Sequence, residues 1–87
     1  MKDMATTHTR DTIDMFVRTL IQDMGVDATE INDDANLEDL GLDSLDVVEL
    51  SQGVKKQLSI PVAPGDFADV VTIADTVALI MTKADIA

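Results

Sequence analysis

The chain has 87 residues, a net charge of −11 and no cysteine. That length suits one domain, which buries roughly 60–65% of the surface its unfolded chain exposes. The missing cysteines exclude a disulfide framework and a thiolate metal site. The charge excludes nucleic acid as a favoured partner and disfavours an anionic membrane surface, because both are bound through Lys and Arg.

Residues 1–8, "MKDMATTH", read as a loose tail ahead of a single domain spanning 9–87. The stretch lacks the apolar run of a secretory signal, and no segment reaches the roughly 20 apolar residues needed to span a bilayer. The expected location is therefore cytoplasmic and the expected state monomeric. His8 is the only histidine. With no partner nearby in sequence it has no chemical role on this reading.

The first periodic segment is "RDTIDMFVRTLIQDMGV". Ile13, Phe16, Val17, Leu20, Ile21 and Met24 recur at helical spacing and make one apolar face. Thr9 is the expected N-cap and Gly25 the expected stop. Residues 25–43 follow as a long acidic connection, with Ile31, Leu37 and Leu40 expected to pin it over the helices and a short helical turn expected at "NLEDL". A second helix is expected from Ser44 to about Leu58, capped by Asp43 or by Ser44 itself. Val47, Leu50, Val54 and Leu58 form its core face. Leu45 and Val48 lie on another side, and an exposed apolar pair there awaits a partner. Gly53 inside this helix costs about 1 kcal/mol relative to Ala, which close packing against another helix would offset.

"SIPVAPGD" holds both prolines and reads as a loop. "GDFADVV" is expected to make one or two helical turns, with Phe67 and Val70 or Val71 turned inward. A last helix opens at Thr72, with Asp75 in a capping-box relation, and buries Ile73, Val77, Ile80 and Met81. The expected fold is all-α: a four-helix bundle of three main helices and a short one, with a long loop after the first. With only two phenylalanines and neither Tyr nor Trp, the core must be aliphatic.

Ser44 opens the second helix within "GLDSLDVVEL". A nucleophilic serine needs a base and a group to orient that base, and neither is present in sequence. The context is also not the Gly-x-Ser-x-Gly elbow of hydrolases. Asn32, Asp34 and Asn36 occupy positions 1, 3 and 5 of a possible calcium loop, but Leu37 stands where the sharp turn wants Gly and Asp43 where the last ligand is normally Glu. No metal is expected. Two readings of Ser44 stay open on position alone: an N-cap and nothing more, or a site where a covalent group is attached, an anionic group being favoured by the free N–H groups and positive helix end but repelled by Asp43 and Asp46.

The decapeptide resembles the signature of acyl carrier proteins, in which an Asp-Ser-Leu triplet opens the second helix. Gly41, Asp43, Ser44, Leu45, Asp46, Val48, Glu49 and Leu50 all fit that pattern. The similarity extends to the first amphipathic helix, the acidic loop, the "IP" before the short helix and the Thr-Ile that opens the last one. It implies that Ser44 receives 4′-phosphopantetheine from coenzyme A through a phosphopantetheinyl transferase, and that the protein is a carrier and not an enzyme. The serine then needs no base of its own, and the arm supplies the thiol that the chain lacks. Asp43, Leu45, Asp46, Val48 and Glu49 become the implied recognition face for acyl-loading and acyl-processing enzymes such as an acyltransferase or ketosynthase. Residues 19–54 contain ten acids and neither Lys nor Arg, which suits weak, salt-sensitive contact with basic patches.

Some residues depart from the fatty-acid-synthase pattern. "KKQ" at 55–57 reverses the charge late in the second helix, Ser51, Gln52 and Gly53 replace a more apolar turn, and the following loop lacks an acid cluster. These departures favour a discrete carrier of polyketide or related natural-product assembly. A fatty-acid-synthase carrier, a peptidyl or aminoacyl carrier, and an unmodified structural adaptor are the alternatives.

Overall fold

Thr9 starts the first helix by a reciprocal cap. Its hydroxyl accepts from the Thr12 N–H at 3.2 Å, while the Thr12 hydroxyl accepts from the Thr9 N–H at 2.9 Å. In the computed structural model, which describes residues 9–84, helix α1 runs Arg10–Asp23. Ile13, Val17 and Ile21 are its fully buried stripe, with Phe16, Leu20 and Met24 half-buried beside it. Gly25 ends it at φ 106°, a left-handed conformation that costs glycine little and other residues more. The expected tail, 1–8, and His8 with it lie outside the described residues.

The acidic connection is ordered by its own turns. Asp27 caps a single 3₁₀ turn, Ala28–Glu30, by accepting from the Thr29 N–H at 2.9 Å. The backbone bond and the Thr29 hydroxyl favour the ionised form, so the Asp27 carboxyl titrates below its ordinary value. The turn expected at "NLEDL" forms as hydrogen-bonded turns over residues 37–41, closed by Gly41 at φ 84°, and does not grow into a helix. Ile31 and Leu37 are buried and Leu40 half-buried, as their role as pins requires.

Arg18 holds the loop from the other side. Its guanidinium donates to Asp14 one turn earlier on α1, to Asp33, and to the carbonyl of Ile31. The bond to Asp14, with the charges of Asp14 and Asp33, raises the Arg18 pKa despite some desolvation. The loop in turn meets the last helix through its backbone. Leu37 N donates to Val71 O at 2.9 Å, Ile73 N to Ala35 O at 3.1 Å and Ala74 N to Asp33 O at 3.0 Å. Groups left free by the start of a helix are thus satisfied by a loop.

Helix α2 spans Ser44–Gly53 and then widens into one π-helical turn, Val54–Leu58, so the second helix is α-helical over only part of its expected length. Ser59 stops it in the left-handed region, at φ 59°. Leu50 and Val54 are buried; Val47 and Leu58 are half-buried. A Cβ on Gly53 would lie 2.9 Å from Leu20 Cδ2, so the glycine permits the close approach of α2 to α1. Ser51 is buried without penalty because its hydroxyl donates to Val48 O at 2.8 Å.

The short fourth element is a single 3₁₀ turn, Pro64–Phe67, in place of the one or two helical turns expected over "GDFADVV". Asp66 accepts from the Ala63 N–H at 2.9 Å and pairs with Lys83 at 3.3 Å, which together lower its pKa. Phe67 is buried, Val70 half-buried and Val71 exposed. Helix α3, Ile73–Lys83, has the expected Thr72–Asp75 box, with both bonds at 3.1 Å. The backbone N–H groups of Thr72 and Val71 hold the Asp75 carboxyl below its ordinary pKa.

The described residues therefore form an all-α fold of three α-helices joined by 3₁₀ turns, with no strand beyond one isolated bridge, Asn36 to Thr72. Helix α1 packs against α2 and α3, and the Pro64–Phe67 turn closes the gap between α2 and α3. Ile60 and Val62, in the segment read as loop, are both buried. The core is aliphatic apart from Phe67 and the edge of Phe16.

Candidate functional site

Asp43 and Asp46 close the start of α2 on each other. The Asp43 carboxylate accepts from the Asp46 N–H at 3.0 Å, and the Asp46 carboxylate accepts from the Asp43 N–H at 3.1 Å. The cap is therefore Asp43, and Ser44 is the first helical residue. Of the two capping residues the sequence allowed, the structure selects the aspartate, which leaves the serine hydroxyl outside the cap. Ser44 is exposed, at the positive end of the helix.

Beside it lies a cleft of about 430 Å³. Leu37 and Leu42 from the acidic loop, Val47 and Val48 from α2, and Phe67 and Val70 around the 3₁₀ turn supply its apolar lining. Glu38, Asp43 and Ser44 also line it. Each wall depends on a distant part of the sequence. The loop is held by Arg18 and by its backbone bonds to residues 71–74, and Phe67 is held by the turn that Asp66 starts.

The other residues expected around Ser44 separate. Leu45 is 71% exposed and projects away from the fold, while Val48 is half-buried and turns into the cleft. They do not form one exposed apolar pair. Glu49 is exposed and Asp46 half-buried in its capping role. The partial calcium pattern does not assemble as a site: Asn36 Oδ1 accepts from the Glu38 N–H at 2.9 Å, and among the described residues no three His, Asp or Glu side chains gather to hold a metal.

Two contributors escaped sequence reasoning. Arg18 had a local signal, its i,i+4 spacing from Asp14, but its reach to the loop did not. Phe67 was expected inward; that it walls the cleft beside Ser44 required the tertiary structure.

An exposed hydroxyl, free of its own helix cap and opening on an apolar cleft, suits attachment of a long arm that ends in an acyl group. In keeping with that geometry, residues 16–80 match the family model described as "Phosphopantetheine attachment site". The chain belongs to the acyl carrier protein family. It is 32% identical over 65 residues to an acyl carrier protein of Solidesulfovibrio magneticus, covering 74% of this chain and 83% of that one. It is 34% identical over 71 residues to one of Helicobacter hepaticus, covering 80% and 93% respectively. A third, of Chlamydia caviae, is 31% identical over 65 residues, 74% of this chain and 84% of the relative. No solved structure matches the chain. Proteins of this family are carriers, not enzymes. They bear 4′-phosphopantetheine and work with a phosphopantetheinyl transferase and with acyl-processing enzymes. The group supplies a terminal thiol, on which acyl groups are held as thioesters. Among the described residues of this carrier, no helix is long and apolar enough to cross a membrane.

Proposed function

We propose that Ser44 carries the phosphopantetheine arm, joined through a phosphodiester at Oγ, and that the domain 9–87 presents acyl thioesters to a succession of enzymes. The supporting observation is the position of the hydroxyl: exposed, outside the Asp43–Asp46 cap and at the edge of the cleft. The base for the attachment reaction belongs to the transferase. In this reading Asp43 and Asp46 have two duties. They hold the first turn of α2 rigid, and with Glu49 they surround Ser44 with negative charge for a basic partner surface. Leu45 supplies the apolar contact of that recognition face, and Val48 borders it from inside the cleft.

The carrier's pathway, in our reading, is polyketide or related natural-product assembly, with an acyltransferase or ketosynthase among its partners, and its setting is cytoplasmic. Exposed Lys55 and Lys56 on the π turn support this assignment, because they break the acidic surface of α2 with cations that have no ion-pair partner among the described residues.

Intact mass before and after incubation with coenzyme A, magnesium and a broad-specificity phosphopantetheinyl transferase tests the attachment. The expected result is a gain of one phosphopantetheine by the parent and none by Ser44→Ala. A gain in both proteins places the arm elsewhere. No gain by a folded parent that began unmodified favours the adaptor or a dedicated transferase.

A further inference from the structure

Two grooves border the second helix, and their charges are opposite. At the Ser44 end, Glu38 and Asp43 line the cleft and Asp46 adjoins it in the helix cap. At the other end a second groove, of about 200 Å³, runs between the helix and the segment that enters the 3₁₀ turn. Its one ionisable lining residue is Lys55. Gln52 borders it too, and Val62, Ala63 and Pro64 form the opposite wall. Pro64 also lines the cleft at Ser44, so the two grooves meet along one seam. Lys55 and Gln52 are both exposed, and no ion pair among the described residues uses Lys55. Asp66, the acid of the adjoining turn, is held by the Ala63 N–H and by Lys83.

The seam runs from the attachment serine to the lysine. Ser44, Val48, Ser51 and Lys55 recur at steps of four, three and four, which puts them on one stripe of the helix. Lys55 stands eleven residues after Ser44, about 16 Å along the axis at the usual helical rise. A phosphopantetheine arm is about 18 Å long when extended, at ordinary bond lengths. An arm that follows the seam brings its thiol level with Lys55 and puts a short acyl group within reach of the ammonium. We infer that Lys55, with the Gln52 amide beside it, is a seat for a carboxylate on the carrier's own cargo. An acyl group that ends in a carboxylate is laid along the second helix, and an uncharged one is not. The acids at the Ser44 end repel such a cargo and Lys55 attracts it, so both ends of the seam favour the same position. An exposed ion pair is weak between free molecules. Here the arm tethers the cargo at an effective concentration of about millimolar, and a weak contact is enough to bias where it rests.

This inference rests on Ser44 as the attachment site, and one set of samples tests the two separately. A broad-specificity transferase loads the unmodified protein from coenzyme A, butyryl-coenzyme A or succinyl-coenzyme A. The two acyl groups have equal carbon number and differ in terminal charge. Intact mass reports loading. NMR of the Gln52 side-chain amide and the Val62 methyls reports the second groove, with the bare arm as reference. The succinyl form is expected to displace these signals and the butyryl form to leave them in place. Lys55→Gln should lower the ratio of seated to free arm about fivefold, the upper end for one exposed ion pair, and Lys55→Arg should keep it. Lys56→Gln should leave the displacement unchanged, because Lys56 does not line the groove. Circular dichroism checks that the variants are folded. The seat is overturned if butyryl displaces the signals as succinyl does, or if neither does although both are loaded. It is overturned as well if Lys55→Gln keeps the succinyl displacement, if Lys55→Arg loses it, or if Lys56→Gln abolishes it. Loading of Ser44→Ala as readily as the parent, or of neither protein, overturns the attachment reading instead.

Discussion

Replacing Asp43 separates its structural duty from its charge. In the parent its carboxylate satisfies the Asp46 N–H, and the pairing is returned by Asp46 to the Asp43 N–H. Asp43→Ala removes the first bond and leaves the second, which uses the backbone N–H of residue 43, in place. Loss of an N-cap costs about 0.5–2 kcal/mol. Asp43 is exposed, so water replaces part of the lost bond and a value near 1 kcal/mol is expected. Loss of a negative charge at the positive helix end adds about 0.3–1 kcal/mol at low salt. For a domain of this size, 1 kcal/mol corresponds to a fall in melting temperature of about 4–8 °C. Asp43→Ser keeps a capping oxygen and gives up the charge, so it should recover most of the stability lost by the alanine variant. The chain has neither Trp nor Tyr, so melting is best followed by far-ultraviolet circular dichroism. The same two variants, assayed with the transferase at low and high salt, read the second duty. Both should be loaded more slowly than the parent at low salt, and the difference should shrink as salt screens the field. Melting of Asp43→Ala within about 1 °C of the parent would refute the cap as a source of stability. Normal loading of Asp43→Ser at low salt would refute the charge as a recognition element.

Arg18→Leu should destabilise the protein by about 2 kcal/mol in urea unfolding, because it leaves the Ile31 carbonyl and Asp33 without their charged donor. Amide hydrogen exchange in residues 31–37 should accelerate more than in α1, since the arginine ties the loop to a helix that stands without it. Acid should destabilise the fold as well. Asp27, Asp66 and Asp75 all have lowered pKa values in the folded protein, so the unfolded chain binds protons more readily. Their contribution is present above the ordinary carboxylate pKa of 3.8 and is lost as pH falls below it toward the folded values. Melting temperature measured in dilute solution from pH 7 to pH 3 should hold and then fall at the acid end. Asp75→Asn should lose stability at pH 7 and show a smaller acid-induced fall than the parent.

The helices were legible because their signals are local. Thr9, Asp43 and Thr72 each stand three residues before a side chain that can return the hydrogen bond, and the stripes Ile13-Val17-Ile21 and Ile73-Val77-Ile80 recur at the helical period. The family was legible for the same reason: "GLDSLDVVEL" is one continuous stretch. Sequence alone did not separate Asp43 from Ser44 as the cap, since both types serve there and only the backbone geometry assigns the position. It also overextended the α-helical part of the second helix. Residues 54–58 keep the apolar spacing of a helix, while the π turn and the left-handed Ser59 depend on how that end meets the rest of the fold. The cleft is wholly tertiary. Its walls come from residues 37–48 and 64–70, brought together by a core and by Arg18, and no local pattern records that Glu38 and Phe67 border the same space as Ser44. Sequence marked the serine; packing across the fold decided what surrounds it, because apolar burial and charge act through space and not along the chain.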